Sequence, residues 1–435
     1  MKKTGSKNYT RREFVKAAGA VTLSAAIGGP MVIPRRASAQ KKTVSVLHWS
    51  HFVPPFNPEL QRQVEEWGKL RGVEARVDFI AIRDLPAKLA AEAESRRGHD
   101  VVEVRFFSGP LYRANLVPLG DVARDLEKTA GPWLDIAKYV GFVGGDWVSI
   151  PWYYYNIPAN INTDHWSKIG MSSEDVAKLT WDGLLEAAPK LQANKTPVGM
   201  AISECSDGND NTFTVLWSFG ASMADAQGNV TINSPQTAAA VEYVKKLAKF
   251  MPEDIMAWDD SSNNRFMLSG AGSWSPNGPS VWAVAKKDNM PIQAKIDHVP
   301  MPAGPAGRFR NALPICLGVW KFSPNINLAK DLIRYLLKKE NFEKQAEASW
   351  GYNLPLLVGN RTAKVWTREK ALRYYEPPKE PVYVSGYPAP PSPATQIALN
   401  LYIIPTMFAK AVSGETSTAK AIEWAEKQLK RIYAG

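Results

Sequence analysis

Glu204 and Asp207 stand three residues apart in Glu204-Cys205-Ser206-Asp207. Two carboxyls within reach of each other are what glycoside hydrolysis requires, one donating a proton and the other attacking or activating water. On a polar loop, such a pair reads more simply as ligand-binding or solvated groups, and the remaining inventory favours that reading. The five histidines, His48, His51, His99, His165 and His298, make no HExxH and no Cys/His cluster. His48 and His51, three apart on a strand, are expected on opposite faces, which excludes a shared metal. Gly270-Ala271-Gly272 and Gly304-Pro305-Ala306-Gly307 do not complete a dinucleotide fingerprint, and Gly-x-Ser-x-Gly does not occur. The expectation is no cofactor, no metal and no catalysis.

Aromatic residues are the richer signal. The fifteen tryptophans all lie beyond residue 40, several in loop-like settings: Trp152 with Tyr153, Tyr154 and Tyr155, then Trp217, Trp274, and Trp350-Gly351-Tyr352. A flat ring covers the C–H face of a sugar while Asp, Glu, Asn and Arg take its hydroxyls. Trp67, Trp166, Trp181, Trp320 and Trp424 read as core. For the polar contacts the candidates are Arg105, Glu204, Asp207 and Asn277.

These groups need a scaffold, and residues 42–107 read as strand, helix, strand, helix, strand. Leu60, Val64 and Trp67 share a helix face that Gly72 ends; Val77, Phe79 and Ala81 alternate; Leu85 to Ala93 is helical; Asp100 to Val104 is a third strand. Such alternation predicts a parallel sheet covered by helices, with ligands at the carboxyl ends of strands. That points to Trp49, His51 and Phe52, and to Arg105, Phe106 and Phe107. Ser234-Pro235 and Ser323-Pro324 read as helix starts, Ser capping and Pro in the first turn. Residues 376–393 hold seven prolines, a stiff and long connection. The stretch 397–432 reads as helix broken at Pro405 and Gly414.

Thr10-Arg11-Arg12-Glu13-Phe14-Val15-Lys16 precedes a diluted apolar run, Ala17 to Ile33, too short and polar for a stable membrane span, and then Ala37-Ser38-Ala39. This resembles a twin-arginine export signal cleaved after Ala39. The first 39 residues carry eight Lys and Arg against one Glu, so the formal +11 of the chain falls to about +4 beyond them. No basic block remains to suggest nucleic acid or an anionic membrane. Some 396 residues predict two or more domains. Cys205 and Cys316 are more naturally buried thiols than a disulfide, though spacing alone leaves the pairing open.

Several ordered segments together resemble family 1 extracellular solute-binding proteins, the receptors of ABC-type sugar importers. They are Ile150 to Asn156, Asn160 to Trp166, Thr180 to Ala188, Gly228 to Pro235, Phe266 to Gly272, Pro300 to Arg308, Ser323 to Lys330 and Gly351 to Pro355. The resemblance spans nearly all of the chain beyond residue 40. It implies an α/β, two-lobed periplasmic binding protein fold of type II, each lobe a sheet flanked by helices, with a multi-strand hinge. The implied division is residues 40–151 and 314–350 for one lobe, 152–313 and 351–435 for the other, with crossings near Pro151–Tyr154, Ala312–Leu317 and Trp350–Pro355. It further implies a carbohydrate or polyol held between lobes, permease subunits of an ABC importer as partners, a periplasmic location and a monomer. It places Trp49, His51, Arg105, Phe106, Tyr155 and Tyr402 around the ligand, and Trp274 by its likeness to a stacking tryptophan of maltose-binding relatives; the aromatic and polar residues themselves add Trp152, Tyr153, Glu204, Asp207, Trp217, Asn277 and Trp350. Pro189, expected to interrupt what is usually a continuous helix after Thr180-Trp181-Asp182, and the Pro-rich loop depart from the family pattern. A rival reading is an exported sugar oxidoreductase or hydrolase; another is an anion receptor using Arg105, Arg265 or Arg308.

The export reading is checked directly. Replacing Arg11 and Arg12 by Lys is expected to hold the protein in the cytoplasm, and mass spectrometry of the exported wild type is expected to give a chain beginning at Gln40. Undiminished export of the double variant would contradict it.

Overall fold

The computed structural model describes residues 42–373 and 382–434. The export segment and residues 374–381 of the Pro-rich loop lie outside these, and no described helix is long and apolar enough to cross a membrane. In chain order the strands are β1 (Thr43–Trp49), β2 (Glu74–Ile80), β3 (Val101–Arg105), β4 (Phe142–Val143), β5 (Asp146–Trp147), β6 (Ile150–Asn156), β7 (Ala159–Asn162), β8 (Trp274–Pro276), β9 (Ile296–Val299), β10 (Ala312–Val319) and β11 (Leu354–Pro355). Six of them form one sheet in the order β11-β6-β10-β3-β1-β2, and three form a second in the order β8-β7-β9.

β1 pairs in parallel with both β2 and β3, as the alternating segments require, whereas β10 runs antiparallel to β3 and β6. Strands this central are covered on both faces and read as continuous apolar runs: every residue of β3, β6 and β10 is buried. The helix Phe56–Arg71 buries Leu60, Val64 and Trp67 and ends on Gly72 at φ 68°, a left-handed turn natural to glycine. The indole N–H of Trp67 donates to Asp331 at 2.7 Å, tying that helix to Ile326–Leu336. Trp274 of the smaller sheet packs edge-on against Trp181 at 6.2 Å, the first residue of the helix Trp181–Ala193, whose Thr180 cap accepts from Gly183 N–H.

Several expectations are corrected. Pro189 sits inside Trp181–Ala193 without ending it. Pro405 lies within Ile403–Val412; the break before that helix is Tyr402, at φ 50°, while Gly414 does end it, at φ 76°. Ser234 caps its helix, but Ser323 does not: its hydroxyl donates to Asp100 at 2.6 Å, and Asn325 occupies the cap position. Because β1 stops at Trp49, His48 and His51 are not held on opposite faces; both rings pack on Phe56, at 5.6 and 4.6 Å. Among the described residues no cluster of His, Cys, Asp and Glu suits a metal ion. Cys205 and Cys316 are buried and unpaired.

On the far side of the large sheet His99 is clamped between two carboxylates, Nδ1 to Glu92 at 2.6 Å and Nε2 to Asp78 at 2.9 Å. Burial disfavours its charge, but the hydrogen bonds and charges of Glu92 and Asp78 prevail and raise its pKa. A raised histidine stabilises fully below its unfolded pKa of about 6.5 and loses that contribution as pH rises through the folded value. The stability gap between wild type and His99→Gln, measured by urea unfolding, should therefore narrow as pH is raised from 6 to 9. A gap independent of pH would refute the charged clamp.

Candidate functional site

The carboxyl ends of β1 and β3 lie side by side, and the chain turns sharply after each. Trp49, the last residue of β1, is fully buried; its indole N–H donates to the Tyr153 hydroxyl at 3.0 Å and its backbone N–H to Glu103 at 3.0 Å. Tyr153 passes its own proton to Nε2 of His48 at 3.2 Å, since Nδ1 of that ring faces the Trp49 carbonyl at 2.7 Å. His51 takes the other tautomer: Nδ1 accepts from Val53 N–H at 2.9 Å, and Nε2 donates to Asn353 at 3.0 Å. Burial lowers both imidazoles to a pKa of about 3, so they are neutral hydrogen-bonding groups.

Arg105 closes β3. Its guanidinium donates to the Tyr155 hydroxyl at 2.6 Å, pairs with Glu103 at 3.3 Å and lies 5.5 Å from the Trp49 ring centre and 5.8 Å from that of Phe106. The backbone reverses at Phe106, φ 47°, an unfavourable conformation for a bulky residue that marks a constrained functional turn. Glu103 and Arg105 are two apart on one strand and therefore share a face. Burial pushes Glu103 up to about 7, against the opposing pull of Arg105 and the Trp49 N–H. Tyr155 is stacked over Trp49 and packs on Tyr352 at 4.6 Å.

The facing element is the helix Ser206–Ser218, capped by Cys205, whose sulfur accepts from Gly208 N–H at 3.3 Å. Gly208 is required there: a Cβ would stand 2.0 Å from the Ser203 carbonyl. One turn of this helix presents Asp207 and Asp210. Asp207 accepts from Asn263 at 2.6 Å while its N–H donates to Asp260 at 3.0 Å. Its residue keeps some exposure but its carboxyl is inside, and burial followed by the charges of Asp260 and Asp210 raises its pKa well above the carboxylate range. Asp210, pushed up to about 7 by burial, accepts from Ser385 at 2.8 Å and Asn311 at 3.3 Å. Asp260 is raised by burial as well. Tyr402, pushed up to about 12 by burial and by Asp260, and the exposed Glu204, which accepts from Thr406 at 3.1 Å, complete this side. Asn277 is joined to Asn264 and receives Asn160 on its carbonyl at 2.9 Å.

Between the two sides runs a slot of about 40 Å³, lined by Arg83, Arg105, Phe106, Ser206, Asn209, Gln396 and Tyr402 among others. That is room for roughly three waters. Several buried polar atoms here have no hydrogen-bond partner among the described residues: Asp210 Oδ2, Asn209 Oδ1 and Asn353 Nδ2, while Glu103 Oε1 and Arg105 Nε have only each other, at 3.3 Å. Buried polar atoms are rarely left so; both donors and acceptors are on offer. A larger cavity, about 700 Å³, lies apart from this chemistry, among Trp282, Lys286, Asp297 and Arg373.

Of the expected residues, Arg105, Phe106 and Tyr402 line the slot; Trp49, His51, Tyr153 and Tyr155 belong to the buried network around Arg105; Glu204, Asp207 and Asn277 lie on the facing side; and four aromatic candidates are elsewhere. Trp274 is 1% exposed and edge-on to Trp181 at 6.2 Å, because its position on β8 faces the covering helix; the stacking role expected of it has no support in that placement. Trp152 donates to Gln345 at 2.8 Å in the packing beneath the large sheet. Trp217 lies ten residues beyond Asp207, roughly 15 Å along the axis, donating to the Tyr387 carbonyl at 2.8 Å. Trp350 is edge-on to Trp282 at 5.8 Å. Of the anion-binding candidates, Arg265 pairs with Asp259 at 3.1 Å and Arg308 with backbone carbonyls, so only Arg105 faces the cleft. Missed were Glu103, Asp210, Asp260, Tyr352 and Asn353. The i, i+2 pair Glu103/Arg105, the i, i+3 pair Asp207/Asp210 and the aromatic Trp350-Gly351-Tyr352 carried a readable signal; Asp260 and Asn353 carried none.

Comparison with known proteins agrees with this architecture. Residues 63–373 match the family described as bacterial extracellular solute-binding protein. A probable ABC transporter-binding protein of Deinococcus radiodurans is 26% identical over 234 residues, a match spanning 50% of this chain and 54% of that relative, about half its length. Among solved structures, an ABC transporter solute-binding protein of Thermotoga lettingae bound to α-D-tagatose is similar at TM-score 0.80 and 18% identity, over 90% of this chain and 100% of that one. The maltose-bound MalE3 of T. maritima gives 0.77 and 21%, over 90% and 99%. A ribitol complex from Agrobacterium radiobacter gives 0.76 and 16%, over 90% and 98%. The expected two-lobed α/β fold is the fold of these structures.

The pairing at the centre is testable. Arg105→Met leaves Glu103 buried without its cation, which should lower unfolding free energy by about 3–5 kcal/mol at pH 8. Glu103 titrates near 7, so at pH 5.5 it is protonated in either protein and the loss should shrink. Equal losses at both pH values would contradict the pairing.

Proposed function

We propose that this chain, which belongs to the bacterial extracellular solute-binding protein family, is an exported receptor that captures a carbohydrate-like ligand between two lobes and delivers it to the permease of an ABC importer. The observation that carries the reading is the set of buried, unpartnered donors and acceptors where β1, β3 and the Ser206–Ser218 helix converge. A polyhydroxylated solute offers donors and acceptors in equal measure, and Trp49, Tyr155, Phe106 and Tyr402 supply ring surfaces beside them. The ligand contacts are Trp49, Arg105, Phe106, Tyr155, Asp207 and Tyr402, joined by Asp210, Asn209 and Asn353.

In this reading the slot marks where the two lobes meet, and the lobes part to seat a ligand larger than the few waters it has room for. Only a ligand that touches both sides binds the closed form more tightly and shifts the equilibrium toward it. The hinge runs through Ile157-Pro158 and Asn311, where β6 and β10 leave the large sheet and Ile157 N–H donates to the Asn311 carbonyl at 3.0 Å. These crossings lie a few residues from those expected near Pro151–Tyr154 and Ala312–Leu317. The third falls beyond Pro355 rather than before it, because Leu356 and Leu357 still hydrogen-bond to the large-sheet side at Leu134 and Trp133. Delivery takes place in the periplasm, after cleavage behind Ala39, by a monomer that leaves its ligand chemically unchanged.

A thermal-shift screen of sugars and polyols tests this. A ligand at 100 times its dissociation constant should add about 2.7 kcal/mol to stability, be recovered intact, and give no shift with Arg105→Met or Tyr155→Phe. Consumption of the ligand, or a shift that both variants retain, would contradict the receptor reading at this cleft.

A further inference from the structure

The cleft is unbalanced in charge. Glu103, Asp207, Asp210 and Asp260 all lie close enough to Arg105 for its charge to act on them, and they reach it from different elements: β3, the Ser206–Ser218 helix and the loop before Ser262–Leu268. Among the described residues Arg105 is the one cation facing them. The other basic group on the slot, Arg83, is an exposed rim residue beside Asp84 at 3.8 Å. His48 and His51 are neutral, and Tyr155 and Tyr402 contribute only hydroxyls. Arg105 itself is already engaged by Glu103 and Tyr155, so one shared cation is set against Glu103 and the three aspartates.

Their hydrogen bonds do not complete the account. Asp210 is 1% exposed and its Oδ2 accepts nothing, and Asn209, 4% exposed and lining the slot, leaves its Oδ1 unused. Both are acceptors, so what is missing beside the helix is a donor. A neutral sugar would supply hydroxyl donors but no counter-charge, and would leave these acids held toward their neutral forms by burial and mutual repulsion. An ammonium group supplies donors and charge together.

Resting on the receptor reading above, we infer that the ligand is a polyhydroxylated molecule bearing a cationic nitrogen, an amino sugar or amino-cyclitol, with that nitrogen seated among Asp207, Asp210, Asp260 and the amide oxygen of Asn209. The ring then lies toward Trp49, Phe106 and Tyr155. Burial holds Asp210 near a pKa of 7 in the ligand-free cleft, and an arriving cation draws it to the ionised form.

Isothermal titration calorimetry at pH 7.5 on the purified protein decides this with matched probes: glucosamine, glucose and N-acetylglucosamine, the galactose series, and the β-1,4-linked glucosamine dimer with its N-acetylated and glucose counterparts. At least one amine is expected to bind tenfold or more tightly than both its hydroxyl and its N-acetyl partner. Asp210→Asn, or Asp207→Asn should the first fail to fold, is expected to erase that preference. Neutral probes binding as tightly as amines, or a preference that survives both variants, would overturn the inference and leave the receptor reading standing. Failure of every probe in all series would overturn both.

Discussion

The guanidinium of Arg105 belongs to a residue 6% exposed to solvent, and a charge in such a place persists only where partners replace the lost water. Those partners organise the neighbourhood. Glu103 lies on the same strand face, Tyr155 reaches across from β6, and the Trp49 ring covers one side. Each partner is tied down in turn: Glu103 accepts the Trp49 N–H, and Trp49 holds Tyr153, which holds His48. The result is a polar network buried in the large sheet, each member held by the next.

The opposite side is built differently. Its acids are borne by a helix start and a loop, and its backbone at Tyr402 sits at φ 50°. Gly208 lets the helix start press against the Ser203 carbonyl, which fixes Asp207 and Asp210 relative to Asp260. Two neighbouring strands of the large sheet, β6 and β10, lead out to this side at Ile157 and Asn311, and the chain leaves the large sheet a third time after β11. A site shared between a sheet edge and a helix joined by a few such crossings is suited to closing by a small rotation, since few backbone dihedrals need to change.

The alternating pattern of residues 42–107 made the first three strands and the two helices between them legible, and with them the strand ends where Trp49 and Arg105 stand. Chemistry within one element was also legible: Asp207 was found, and Glu103 lay within reach of the same reasoning. What sequence does not carry is the direction of a side chain from a strand whose neighbours are unknown. Trp274 has the composition of a ligand-stacking position, yet its β8 register turns it against Trp181. Trp152, in a run of four aromatics, alternates into the packing against Gln345, while Tyr155 faces Arg105. Asp260 and Asn353 enter the cleft from segments far along the chain, and no local pattern announces that. Pro189 shows the converse, for a helix packed over its length tolerates the missing N–H that local propensity would count against it.

The central claim is that the two sides of the cleft move relative to each other and that ligand brings them together. Small-angle X-ray scattering on the purified protein, with and without a saturating ligand from the binding screens, tests it most directly. The ligand-free protein should have a larger radius of gyration than the closed structure described above, falling to the closed value on ligand addition. A ligand-free profile that already matches the closed structure and does not change as the ligand saturates would contradict the account.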